Sequence, residues 1–138
     1  MVDKCARANG VRFIILAAAR TGSNLLRGLL HSHPQCFVGG ELFNHVYFDR
    51  RYIPWCPDWS SDERAKINHD DTLIDLRKAD PVRFIERLFE ITRHWGHQAI
   101  GFKLMYWHPE MYKEAGDYLV GDTSIRVIHL KRRNLLRR

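Results

Sequence analysis

The sequence predicts an α/β protein built on a central parallel sheet, and three observations lead there. The short continuous apolar run at 11–18 has the length and residue types of a strand buried on both faces, and 99–106 and 124–130 read as two more strands. Segments with apolar residues at helical spacing alternate with them. The chain has 138 residues, 45% apolar and 28% charged, which is the mixture of one globular domain and sets the expected unit at 1–138.

Residues 1–10 read as a polar entry arm closed by the turn pair Asn9-Gly10. The run 11–18 follows as the first strand, and 19–23 is a tight turn of small residues. From Ser23 the period changes: Leu25, Leu26, Leu29 and Leu30 fall at helical spacing, with Ser23 or Asn24 as the N-cap. His33-Pro34 ends this helix, because the residue before proline avoids the α region. A short extended piece lies in 37–43, broken at Gly39-Gly40.

The stretch 44–71 is aromatic, contains proline and lacks a clear period, so it reads as a long loop with short helices on the substrate side, a lid rather than scaffold. Asp80 caps a second helix with Pro81 at its first position and Phe84, Ile85, Leu88, Phe89 and Trp95 as its buried stripe. Strand 99–106, a short amphipathic helix at 109–118 and strand 124–130 complete the pattern, and a further helix begins near Asn134.

The formal charge is +6, but five positive residues lie in the last eight, leaving +1 for the first 130. The basic balance is therefore local, which disfavours nucleic acid as a partner. Cys5, Cys36 and Cys56 are odd in number and widely spaced, against a disulfide scaffold or zinc ribbon and in favour of a reducing compartment. The longest apolar run, 13–19, is far shorter than the roughly 20 residues of a membrane span. A cytoplasmic protein without a membrane span is expected.

The densest chemistry lies where the first strand meets the first helix, at Arg20-Thr21-Gly22-Ser23-Asn24. Backbone N–H groups and the helix dipole favour an anion there, Gly22 permits close approach, and Arg20, Thr21, Ser23 and Asn24 add donors. From Ala17 to Gly22 the spacing matches the two glycines of a P-loop. Ser23 and Asn24 then occupy the places of its lysine and its magnesium-binding hydroxyl, which disfavours a nucleoside-triphosphate hydrolase.

A hydrophobic strand followed by R-[ST]-G-[ST]-[TN] and Leu-Leu on a helix resembles the 5′-phosphosulfate loop of sulfotransferases that use 3′-phosphoadenylyl sulfate (PAPS). With Gly40-Glu41-Leu42-Phe43 behind the loop, the segment is similar to the bacterial Stf0/nodulation-type branch. Val127-Ile128-His129-Leu130 and the basic residues after it resemble the strand and turn that hold the 3′-phosphate, with Arg133 in the place of the family's arginine. The serine that follows eight residues later in that family would fall beyond Arg138, so 11–138 is expected to match the first half of a family member, truncated at its C-terminal side.

The resemblance implies a P-loop-like three-layer fold and a transferase that moves the sulfuryl group of PAPS to a hydroxyl, without a metal. The acceptor class it implies is a carbohydrate or glycolipid. Arg20, Thr21, Gly22, Ser23, Asn24 and Arg133 would bind the cofactor, and Arg20 would also act on the leaving group. Glu41 is the expected base: it follows Gly39-Gly40, and the apolar Leu42 and Phe43 beside it are expected to raise its pKa. Lys103 reads as a strand-edge lysine with the sulfuryl group as its alternative partner, and His31 and His33 as residues that end a helix. The rival readings are another P-loop-like transferase or kinase, a non-catalytic nucleotide- or polyanion-binding fragment, and a basic nucleic-acid-binding tail.

Overall fold

The computed structural model describes residues 10–44, 71–94 and 96–133. Four strands, β1 (Val11–Ala17), β2 (Cys36–Gly39), β3 (Ala99–Met105) and β4 (Ile125–Leu130), form one sheet in the order β2–β3–β1–β4. Every pairing is parallel, with Val11 opposite Ala99, Arg12 opposite Ile125 and Cys36 opposite Ala99. The helices are α1 (Ser23–His31), α2 (Asp71–Ala79), α3 (Pro81–His94), α4 (His108–Met111) and α5 (Lys113–Gly121).

Side chains alternate across a strand, so β1 feeds two cores. Ile14 packs with Phe84, Ile85, Leu88 and Phe89 of α3 and with Ala115 and Leu119 of α5. Phe13 and Ile15 pack on the other face with Val38, Leu26 and Leu30. The chain leaves β1 toward β2 over one face, then crosses to β3 and β4 over the opposite face. This is the arrangement of an open parallel sheet with helices on both faces.

Gly101 marks the tightest point of the smaller core. A Cβ built there would meet the Phe13 ring at 2.5–2.7 Å. Gly101→Ala is expected to destabilise the fold by about 1–3 kcal/mol through overpacking, read as a lower denaturation midpoint at unchanged slope. An unchanged midpoint would mean that the Phe13 ring has room to move.

Several expectations need correction. The short extended piece expected in 37–43 starts one residue earlier, as a fourth strand at Cys36–Gly39 that pairs along one side with β3. Gly22, in the left-handed region at φ 88°, holds the N-cap position of α1 with no side-chain cap, and Ser23 is already helical. Leu26 and Leu30 face the sheet, but Leu25 and Leu29 are 69% and 63% exposed, because a single helix offers only one stripe to it. The helix expected at 109–118 is two, parted at Tyr112 (φ −126°, ψ 70°). Helix α2 lies in residues for which no helix is expected.

Other expectations hold. Asp80 Oδ1 accepts from the Arg83 amide at 2.9 Å, as a cap should. His31 Nδ1 accepts from the Val38 amide at 3.1 Å and His33 Nδ1 from that of Gln35 at 3.2 Å, closing the end of α1. Trp95, the entry arm except Gly10, the interior of the 44–71 loop and the helix expected near Asn134 lie outside the described residues.

Candidate functional site

In an open parallel sheet, ligands gather beyond the carboxyl ends of the strands. Across that edge, in strand order, come Glu41 after β2, Lys103 near the end of β3, the 18–22 turn after β1, and Lys131 and Arg132 after β4. Residues far apart in the chain thus form one row.

Geometry at the turn is specific. Arg20 takes φ 63°, a left-handed conformation that costs a non-glycine residue roughly 1 kcal/mol. The Thr21 hydroxyl donates to the Ala18 carbonyl at 2.8 Å, and Arg132 Nη1 donates to the Arg20 carbonyl at 3.2 Å. The turn is therefore fixed from within and from β4. Beside it is a pocket of about 200 Å³ lined by Ala18, Ala19, Arg20, Thr21, Tyr106, Leu130, Lys131 and Arg132. At its rim Tyr106 Oη and His129 Nε2 share a hydrogen bond of 2.6 Å.

The turn's other side meets a partly buried polar cluster. Lys103 Nζ donates to Asn24 Oδ1 at 2.7 Å and to Glu41 Oε1 at 3.1 Å. Asn44 Nδ2 donates to Glu41 Oε2 at 2.8 Å, so both carboxylate oxygens are engaged. The Lys103 amide donates to the Gly40 carbonyl at 3.1 Å, which carries the β2–β3 ladder up to Glu41. Farther back, Arg77 Nη1 of α2 donates to the Leu42 carbonyl at 3.1 Å.

Two of these findings correct the sequence reading. Lys103 sits in a central strand, opposite Ile15 and 2% exposed, and is not an edge lysine. Glu41 is held below the ordinary carboxyl value, not above it. Burial does push it up, but the Asn44 hydrogen bond and the charges of Lys103 and His108 outweigh that push.

Among the expected site residues, Arg20 and Thr21 line the pocket, while Asn24 and Glu41 are brought together through Lys103. Ser23 is buried at the start of α1, next to Gly22. Arg133 is exposed and is not among the pocket-lining residues; Arg132, one position earlier, takes the place beside the turn. Both arginines follow the end of β4 at Leu130. Cys36 is half-buried, and burial pushes its thiol pKa up, away from the reactive range.

Among the described residues, no helix is long and apolar enough to cross a membrane. Comparison of the chain with protein-family models, curated proteins and solved structures finds no match.

Proposed function

We propose that this chain is a P-loop-like sulfotransferase domain that transfers the sulfuryl group of PAPS to a hydroxyl of a carbohydrate or glycolipid. The observation that carries the reading is the meeting, through Lys103, of the Asn24 end of the R-T-G-S-N turn with a carboxylate. Such a site needs an anion cradle and a base on one side of it.

The residues fit the anionic end of the donor. Arg20, Lys131 and Arg132 concentrate positive charge at the pocket. The first amides of α1 have no partner within the helix, and its dipole favours negative charge. At about 200 Å³ the pocket is smaller than the roughly 300–1,000 Å³ typical of whole-ligand sites, so the rest of a nucleotide would lie on the open surface. Arg20, Thr21, Gly22, Ser23 and Asn24 would hold the phosphosulfate end, with Lys131, Arg132 and Arg133 available to the 3′-phosphate.

When bound, PAPS supplies an activated sulfuryl group. The acceptor oxygen forms a bond to sulfur, the bond from sulfur to the phosphate oxygen breaks, PAP leaves, and the hydroxyl proton passes to Glu41. A carboxylate held below its ordinary pKa carries its charge at neutral pH, and it is a weaker base than one tuned near 7, so it takes the proton as the new oxygen–sulfur bond forms. Arg20 stands beside the turn where negative charge grows on the leaving phosphate.

Calorimetry with PAP, ADP and ATP–Mg²⁺ tests this. PAP should bind most tightly, and Arg20→Ala should weaken it by about 2 kcal/mol or more, the scale of a charge-assisted hydrogen bond. Arg20→Gly, which suits the positive φ, should show the same loss without added strain. Unchanged PAP affinity in both variants would remove the central claim. Preference for ATP–Mg²⁺ would favour the kinase-like alternative.

A further inference from the structure

An ammonium group inside a central strand is an expensive choice, since the desolvation of a buried charge can exceed its pairing energy. The Lys103 side chain is only 3% exposed. Beside it on the same face of the sheet stands Ile15, so a leucine or methionine would suit the position by packing alone. The charge is instead spent on two partners that belong to different segments: Asn24 at the start of α1 and Glu41 after β2.

We propose that Lys103 is a positioning residue, which locks Glu41 against the 20–24 turn. The inference rests on the role given to Glu41 above and deepens it. One side chain spans the turn that would hold the donor and the group that would take the proton. The distance between them is then set by the sheet and not by a flexible loop.

Glu41 is faced by charged or polar groups from several elements. Lys103 comes from β3, His108 from α4, and Asn44 from its own turn. Arg77 of α2 holds the carbonyl of the next residue. Lys103 reaches α1 as well, so its loss should both loosen the geometry and free the carboxyl to follow its burial upward.

The test uses the full chain and two variants, Lys103→Met and Lys103→Arg. The Glu41 carboxyl is titrated by carbon-13 NMR, and sulfuryl transfer is followed against pH. In Lys103→Met the Glu41 titration should move up by about one pH unit or more, and the acid limb of the rate profile should move with it. PAP affinity should change by no more than a few-fold. Lys103→Arg keeps the charge but not the geometry, so it should retain the low acid limb and lose turnover.

If Lys103→Met does not fold, Lys103→Gln, which keeps a donor without the charge, carries the same two readouts. A folded neutral variant with an unmoved Glu41 titration, or with an unmoved acid limb, overturns the proposal. The two readings fail differently. A wild-type chain that binds no PAP and transfers no sulfate would sink the functional reading and with it the catalytic half of this one. The NMR titration would still decide whether Lys103 controls Glu41.

Discussion

Glu41→Gln is expected to lower kcat by about 10²–10⁴-fold, the usual span of a lost general base, while PAP affinity stays nearly constant. Glutamine keeps the length and shape of the side chain but cannot accept the acceptor's proton. Its amide also fits the cluster badly, because Lys103 and Asn44 each offer a donor to a separate carboxylate oxygen. One of them must then face an NH2 group, and a stability loss of about 1–3 kcal/mol should accompany the kinetic one. Steady-state rates, PAP calorimetry and thermal melts of the same preparation separate the effects. Should PAP binding fall in step with turnover, Glu41 belongs to cofactor binding and is not the base.

Phe43→Ala should produce the largest stability change, about 3–5 kcal/mol, from lost burial and an unfilled cavity. Phe43 is completely buried two residues after Glu41, and its ring lies 5.0 Å from Tyr112, 5.5 Å from Phe84 and 6.1 Å from Phe102. These rings come from α3, β3 and the junction between α4 and α5, so the cavity cannot close by moving one of them. The loss is a large share of the 5–15 kcal/mol that stabilises a typical domain. The same ring anchors the turn that carries Glu41, and activity measured well below the melting point should fall too. Chemical denaturation with an unshifted midpoint would contradict this account of the core.

Much of the sheet was legible because its strands are strongly patterned. The apolar run 11–18 announced β1, and the strand-like segments 99–106 and 124–130 announced β3 and β4, to within a residue or so; Asp80-Pro81 announced the start of α3. The four-residue β2 showed only as a short extended piece, because its pairing with β3 is a tertiary fact. Helix α2 carries a weak stripe: Leu76 is only partly buried, and Arg77, a polar letter in the sequence, is the buried residue beside it.

At the site, local signals sufficed for the turn, where strand, glycine and helix are contiguous. They failed for Lys103, whose meaning comes from partners 62 and 79 residues away. The pKa of Glu41 failed for the same reason: Leu42 and Phe43 are visible in the sequence, while Lys103 and His108 are brought in by the fold.

The all-parallel ladder has a kinetic consequence. Among the described residues no two sheet neighbours are joined by a hairpin; Val11 must find Ala99, and Arg12 must find Ile125. Each pairing closes a long loop before any contact repays it, which slows folding relative to domains of local topology. During synthesis β1 emerges before both of its partners, which begin only at Ala99 and Ile125. At about 5–20 residues per second its apolar segment waits on the order of ten seconds for β3. Over that interval the central strand of the finished sheet is the nascent chain's most exposed adhesive surface, and chaperone demand should track the apolar character of Phe13, Ile14 and Ile15.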